Sequence, residues 1–193
     1  MKRICVFCGS SPGARPAYRA AAANLGAALA ARHIGLVYGG ANVGLMSELA
    51  HSVLNAGGEV IGVIPKSLVH RELALTGLAD LRITDSMQER KAVMADLADG
   101  FIAMPGGLGT LDEFFEVLTW TQLGIHQKPS GLLNVEGYFD TLLAFLDHAV
   151  AERFVKDTHR SMLIVEPEPH RLLDRLDAFV PPEDDKLLDR SNR

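Results

Sequence analysis

The sequence predicts a single α/β domain of the Rossmann-like, doubly wound class, with a parallel sheet flanked by helices on both faces. Short apolar runs alternate with helical patterns of roughly 10–15 residues, the arrangement typical of βαβ units. The chain has 193 residues, a length that suits one domain with a sizeable core. Hydrophobic residues make up 48% and charged residues 22%, an ordinary globular balance.

The individual elements follow from the same patterns. Apolar runs predict strands near residues 3–8, 35–38, 59–64, 80–84, 100–104, 130–134 and 162–165. Helical spacing predicts helices near residues 16–32, 44–56, 87–98, 110–124, 137–151 and 168–178. The catalytic domain is therefore expected to span residues 1–180. Residues 181–193 are charged and have no core-forming pattern, which predicts a mobile or peripheral tail.

Charge and hydropathy restrict the partners. The net charge of −5 argues against a nucleic-acid binder that works through a broad basic face. No stretch approaches the roughly 20 apolar residues of a membrane span. Residues 1–3 lead directly into a strand pattern instead of a signal-peptide core, which predicts a cytoplasmic protein. We therefore expect a small-molecule partner, with no nucleic acid and no membrane.

Neither the cysteines nor the histidines predict a metal site or a cofactor. Cys5 and Cys8 have CxxC spacing, but they lie in a buried strand pattern and no further cysteine exists to complete a zinc site. We interpret them as buried structural residues. The seven histidines form no HxH or HxxxH pair.

The most informative segment is Pro105–Glu113, with the sequence PGGLGTLDE. It follows an apolar strand pattern and precedes helical spacing, so the order is strand, glycine turn, helix, with Thr110 as the predicted N-cap. Such a junction aims backbone N–H groups and the positive end of the helix dipole at a ligand, which favours a bound phosphate. The alternative is purely structural, because Thr110-x-x-Glu113 also satisfies a capping box.

Two common phosphate-binding motifs do not fit. A Walker A loop needs a lysine after the glycines, whereas Gly109 is followed by Thr110. The glycines at 39, 40 and 44 lack the G-x-G-x-x-G spacing of dinucleotide-binding folds. An NTP-hydrolysing P-loop and NAD binding are therefore disfavoured.

Other loops are expected to meet the glycine turn. Ligands of doubly wound sheets bind outside the carboxyl ends of the strands. Ser10 follows the first strand, and the segment Met87–Lys91 begins the helix after the fourth. Arg90 and Lys91 are either solvated surface charges or groups that meet the same anion as the glycine turn.

These residues resemble the LOG ("Lonely guy") proteins, which are cytokinin riboside 5′-monophosphate phosphoribohydrolases. The two central motifs are Pro105-Gly106-Gly107-x-Gly109-Thr110-x-x-Glu113 and Met87-x-x-Arg90-Lys91. The resemblance extends over most of the chain through CGSS at 8–11, YGG at 38–40, GLM at 44–46, GVIP at 62–65 and TWxQLGxHxKP at 119–129. One departure is Ala41, where relatives often continue the glycine run.

The resemblance implies a Rossmann-like fold, a homodimer or higher homo-oligomer, and hydrolysis of a nucleoside 5′-monophosphate to free base and ribose 5-phosphate. It implies no cofactor, and nothing in the sequence indicates a pyridoxal-phosphate lysine, although some relatives were once labelled lysine decarboxylases. By motif, Arg90 and Glu113 match the catalytic pair. The matched substrate-binding positions are Glu72, Lys91, Gly106, Gly107, Gly109, Thr110 and Thr119.

The chemistry of N-glycosidic bond cleavage indicates a role for Glu113. Breaking a C1′–N bond leaves an oxocarbenium-like ribose, which a carboxylate stabilises while it orients or deprotonates water. Arg90 stays protonated near neutral pH, so electrostatic stabilisation is favoured over general-acid catalysis, with phosphate, ribose and leaving base all open as its target. Met87 either lines the base pocket or packs in the core.

Two rival functions remain open at the level of sequence. A general purine nucleoside-monophosphate nucleosidase differs only in base preference. A non-catalytic nucleotide or molybdenum-cofactor carrier also fits, because Rossmann-like carriers have a similar glycine motif.

Overall fold

The fold is a seven-stranded parallel sheet with helices on both faces, which confirms the predicted class. A computed structural model describes residues 1–69 and 74–182. The strands are β1 (Arg3–Phe7), β2 (Gly35–Tyr38), β3 (Val60–Pro65), β4 (Asp80–Thr84), β5 (Gly100–Ala103), β6 (Ser130–Leu133) and β7 (Leu163–Glu166). The helices are α1 (Pro16–Ala31), α2 (Gly44–Asn55), α3 (Lys66–Val69), α4 (Met87–Leu97), α5 (Leu108–Gln122), α6 (Asp140–Ala151), α7 (Asp157–Ser161) and α8 (Pro169–Asp177).

The order of the strands determines where the ligand-binding crevice of the sheet lies. The order across the sheet is β4-β3-β2-β1-β5-β6-β7, so the direction of winding reverses between β1 and β5. These two strands pair in register from Ile4 opposite Gly100 to Phe7 opposite Ala103. The loops that leave them diverge to opposite faces, which opens the crevice where such folds bind ligands.

Except for the edge strand β4, the strands are largely apolar on both faces because helices cover both. Along β1, Ile4 and Val6 pack in one core cluster, while Cys5 and Phe7 pack in the other. Each fully buried side chain of this kind stabilises the fold by roughly 1.5–3 kcal/mol. Within the described part of the chain, no helix is long and apolar enough to cross a membrane.

The alanine-rich helix α1 packs closely against α2. A Cβ at Gly26 would lie 2.7 Å from the Cβ of Ser52 on α2, so the helix backbones approach closely at this point. The Ser52 hydroxyl donates a hydrogen bond of 2.6 Å to the carbonyl of Ala23. Small side chains therefore set the position of α2, whose start borders the crevice.

The prediction of buried cysteines is confirmed. Cys5 and Cys8 are both free and buried. Burial, together with the nearby Glu113 carboxylate, raises the pKa of both thiols well above the ordinary value. Because the thiolate is the nucleophile and metal ligand, a raised pKa disfavours a reactive or metal-binding role for these thiols.

The predicted boundaries differ from the structure by three residues at the start of α6, which begins at Asp140, and by two residues at the start of α5. This helix begins at Leu108 with Gly107 as its N-cap, so the assignment of Thr110 as N-cap is wrong. The Leu111 N–H bonds the Gly107 carbonyl at 3.2 Å, which places Gly109 inside the first helical turn. The short helices α3 and α7 were not predicted, because four or five residues do not establish a periodicity.

Candidate active site

A cleft of about 300 Å³ lies at the carboxyl ends of the strands, where β1 and β5 separate. Its size is at the lower end of the range typical of small-molecule sites. The loop after β1, one residue of α2, and the first turns of α4 and α5 form its walls. The lining residues are Cys8, Gly9, Ser10, Met46, Met87, Arg90, Lys91, Gly107, Leu108, Gly109, Thr110, Asp112 and Glu113.

The start of α5 faces this cleft without a cap. Its N-cap residue is Gly107, and no side chain among the described residues caps it. A Cβ at Gly107 or at Gly109 would meet no atom within 4 Å, so neither glycine is required by packing. The first N–H groups of a helix have no partner within the helix and carry the positive end of its dipole. The structure therefore leaves room for an anion at this end.

Gly106 differs from its neighbours, because packing does require it. A Cβ at this position would collide with the Thr110 side chain and lie 2.9 Å from the backbone nitrogen of Gly9. The Gly9 N–H donates to the Pro105 carbonyl at 3.1 Å. This hydrogen bond joins the glycine loop, residues 105–109, to the loop after β1, so the two loops form one surface.

Arg90 is 6% exposed and is held by main-chain carbonyls at the ends of two strands. Its Nε donates to Val63 at 2.9 Å, and its Nη2 donates to Gly39 at 3.0 Å. A Cβ at Gly39 would collide with Nη2, so the YGG segment is built around this guanidinium. These bonds leave Nη1 directed at Glu113.

Glu113 faces Arg90 across the floor of the cleft. Its Oε1 lies 3.4 Å from the Arg90 Nη1, and its side chain is 15% exposed. It is six residues beyond the N-cap Gly107, whereas a capping box places the acid three residues beyond. The capping-box interpretation of Thr110 and Glu113 is therefore wrong, and the carboxylate lines a ligand cleft instead.

Comparison with known proteins gives the same assignment as the motifs. A family model described as "Possible lysine decarboxylase" matches residues 46–176. A probable cytokinin riboside 5′-monophosphate phosphoribohydrolase of Oryza sativa subsp. japonica is 52% identical over 93% of this chain and 79% of its own length. A cytokinin riboside 5′-monophosphate phosphoribohydrolase of Arabidopsis thaliana is 51% identical, over 93% of this chain and 84% of its own length.

This chain belongs to the LOG family. Solved structures give the fold independently. The molybdenum cofactor binding protein of Rippkaea orientalis has a TM-score of 0.70 at 25% identity, over 92% of this chain and 97% of its own. The molybdenum cofactor carrier protein of Chlamydomonas reinhardtii has a TM-score of 0.68 at 20% identity, over 92% and 99%.

In this LOG-family chain, Lys91 is bound between two carboxylates of α5. Its Nζ lies 3.0 Å from Glu116 and 3.3 Å from Asp112. Burial opposes its charge, but the bonds with Glu116 and Asp112 outweigh burial and raise the pKa of Lys91. The ammonium therefore joins α4 to α5 at the edge of the cleft, beside the Arg90 and Glu113 pair.

The structure brings most of the predicted site residues together, with three exceptions, the first of which is Gly106, a neighbour of the cleft residue Gly107 that does not itself line the cleft. Ser10 and Met87 both line the cleft, and the Met87 sulfur lies 3.4 Å from the Arg90 Nη1. Thr119 is exposed on the outer side of α5, where its hydroxyl donates to the Phe115 carbonyl at 2.7 Å, and it does not line the cleft. Glu72 lies outside the described residues.

Sequence reasoning missed two residues beside the glycine loop. Met46 in α2 lines the cleft, although its segment was noted only for resemblance. Tyr138, in the connection between β6 and α6, donates from its hydroxyl to the Gly106 carbonyl at 2.6 Å. The available signal was topological, since β6 ends at the same edge of the sheet as β1 and β5.

Proposed function

We propose that this protein hydrolyses the N-glycosidic bond of N6-substituted adenosine 5′-monophosphates, releasing the free base and ribose 5-phosphate. The observation that carries the proposal is the pairing of Glu113 with Arg90 at 3.4 Å, next to the uncapped start of α5. The family relatives, at about half identity, are named for this reaction.

The start of α5 supplies the phosphate site. Gly107 and Gly109 allow an anion to approach the backbone, and N–H groups of the first turn of α5 donate to it. The phosphate group takes no part in the bond that breaks. Its binding energy instead fixes the ribose over Glu113, which lowers the entropic part of the barrier.

Glu113 acts on the ribose. As the C1′–N bond lengthens, its electron pair leaves with the base and positive charge develops on the ring. The carboxylate stabilises that charge and takes a proton from the water whose oxygen bonds to C1′. Solvent protonates the departing base, so the products are the neutral base and ribose 5-phosphate.

Arg90 acts mainly by holding Glu113 in place. Two of its nitrogens are bound to the Val63 and Gly39 carbonyls, and the third is next to Glu113 and Met87. A guanidinium stays protonated, so it has no role as a proton donor to the base. Its fixed charge beside the cleft also stabilises negative charge on the substrate.

We also propose a homodimer or higher homo-oligomer, in agreement with the sequence-based expectation. Helix α6 has no buried residue, and its Phe145 is 63% exposed. An apolar helix face of this kind is typical of a surface that a partner covers. Light scattering on the purified protein tests the stoichiometry. A cytoplasmic location stays a prediction from the sequence.

A substrate panel tests the proposed activity against its two rivals. Release of base is measured from N6-isopentenyl-AMP, AMP, GMP and CMP. The proposal expects turnover of AMP and faster turnover of the N6-substituted nucleotide. Equal rates with AMP and GMP indicate a general purine nucleosidase. Tight binding of nucleotides with no base released from any of them indicates a carrier.

Glu113→Gln tests the assignment of the carboxylate. The amide keeps the shape of the side chain but accepts no proton, so kcat is expected to fall at least about 100-fold. Asp96→Asn, an exposed carboxylate on α4, is the control and is expected to keep full activity. Circular dichroism establishes that both variants are folded. Wild-type turnover by a folded Glu113→Gln protein contradicts the assignment.

A further inference from the structure

Tyr138 lies beside the glycine loop but does not line the active-site cleft. A second pocket of about 310 Å³ opens there, which we call the tyrosine pocket. Its main walls are Tyr18, Leu45, Gly106 and Tyr138. Gly9, Ser10 and Gly107 line both the tyrosine pocket and the cleft, so the two pockets adjoin at the glycine loop and the loop after β1.

The Tyr138 hydroxyl holds one peptide unit of the glycine loop. It donates to the Gly106 carbonyl at 2.6 Å, a short hydrogen bond. The peptide bond between Gly106 and Gly107 is trans, so the Gly106 carbonyl and the Gly107 N–H point in opposite directions. With the carbonyl turned to Tyr138, the Gly107 N–H points away from Tyr138, and Gly107 itself lines the cleft.

This peptide unit needs such a support, because it joins two glycines. Neither residue has a side chain to resist rotation of the peptide plane. Rotation would exchange the two groups and present the Gly106 carbonyl oxygen to the cleft, where it would repel a phosphate. The preceding carbonyl, that of Pro105, is held separately by the Gly9 N–H at 3.1 Å.

Tyr138 is itself fixed by the turn that carries it. The Asn134 side chain accepts from the Phe139 N–H and donates to Asp140, both at 2.8 Å. Glu136 has a left-handed φ of 48°. Its carboxylate pairs with Arg15 at 3.0 Å. A non-glycine residue in this conformation is sparsely populated and persists where its surroundings over-determine it.

The tyrosine ring has a second support in α1. Tyr18 meets it edge to face, with ring centroids 5.6 Å apart. The backbone turn and this ring contact together support the Tyr138 ring beside Gly106.

We propose that Tyr138 is a positioning residue for the 5′-phosphate of the substrate, acting through the Gly106–Gly107 peptide. The proposal rests on the proposed function insofar as the cleft binds a nucleoside monophosphate. Tyr138 does not touch the ligand. It keeps the Gly107 N–H available beside the first turn of α5.

Tyr138→Phe tests this role, because it removes only the hydroxyl. Binding is measured calorimetrically in the Glu113→Gln background, which prevents turnover, with AMP and with adenosine as ligands. The Kd for AMP is expected to rise about 3- to 10-fold, the usual effect of one lost hydrogen bond, while the Kd for adenosine stays within twofold. Tyr18→Phe, which retains the ring packed on Tyr138, is the matched control and is expected to change neither.

The two ligands separate positioning from general support. Equal weakening of AMP and adenosine overturns the proposal, since it means that Tyr138 stabilises the whole cleft. An unchanged Kd for AMP overturns it as well. If the wild-type protein binds AMP but releases no base, the proposed hydrolysis fails, and the difference between the two ligands still decides the role of Tyr138.

Discussion

Two helices begin at the active-site cleft, and their starts are built in opposite ways. At α4, the Ser86 hydroxyl accepts from the Glu89 N–H at 3.1 Å, and the Glu89 carboxylate accepts from the Asp85 N–H at 2.7 Å. At α5, the N-cap is Gly107, and no side chain of the described residues caps it. One helix end is satisfied by its own side chains, and the other is left open.

This difference in capping indicates a structural role for the start of α4 and a binding role for the start of α5. The closed start of α4 fixes a helix whose task is to place Arg90 and Lys91. The open start of α5 lacks a cap that is typically worth about 1 kcal/mol, and Gly109 in its first turn costs about a further 0.5–1 kcal/mol relative to alanine. The sequence therefore lacks two stabilising contributions at the start of α5. A local loss of stability of this kind is typical of a ligand-binding site.

Closing the open end is expected to have the largest effect. In Gly107→Asp, the new carboxylate caps α5 and places a negative charge at the proposed phosphate site. The kcat/KM for AMP is expected to fall at least about 100-fold, with no loss of thermal stability. The extended backbone of Gly107, with φ of −96°, accepts an aspartate.

Gly107→Asn is the neutral control for that variant. Asparagine caps a helix as well as aspartate but adds no charge, so its loss of activity is expected to be smaller. Full activity of the aspartate variant contradicts an anion site at this helix end. Differential scanning calorimetry and steady-state kinetics give the two readouts.

A smaller effect is expected from a methyl group at the second helical position. Gly109→Ala is expected to raise the free energy of unfolding by about 0.5–1 kcal/mol, because alanine favours the helix. Its Cβ projects into the open space of the cleft, so kcat/KM is expected to fall about 10-fold. The matched variant at α4 is Gln88→Ala, with no expected loss of kcat/KM. Equal effects of the two variants on kcat/KM would remove the distinction between the helices.

Removing the N-cap of α4 is expected to lower stability without changing the activity. Ser86→Ala removes the cap of α4 and is expected to cost about 1 kcal/mol of unfolding free energy, a fall in Tm of about 2–4 °C. Kinetics at 25 °C are expected to stay within about twofold, since Arg90 is also held by the Val63 and Gly39 carbonyls. A large loss of activity at unchanged Tm would show that Ser86 belongs to the site.

The fold was predictable because its strands are short apolar runs with clear helical spacing between them. The α5 start was misplaced by two residues because glycine signals a turn in sequence, whereas Gly109 lies inside the helix. The same error made Thr110 and Glu113 look like a capping box. The true box at Ser86 and Glu89 has the same sequence pattern, so the pattern alone did not distinguish them.

The motif residues of the site were predictable from resemblance, but their supports were not. Arg90 is positioned by main-chain carbonyls of Gly39 and Val63, which leave no pattern in side-chain identity. Tyr138 likewise bonds a carbonyl, 32 residues away in the chain. Such contacts depend on which strands are neighbours, and they become visible only once the sheet order is established.

We expect the open start of α5 to bind the 5′-phosphate and thereby to place the glycosidic bond over Glu113. The most direct test compares kcat/KM for AMP and adenosine with the unmodified protein. Adenosine is expected to be on the order of 1,000-fold poorer, equivalent to about 4 kcal/mol of phosphate binding energy used in the transition state. Similar values for the two substrates would contradict it.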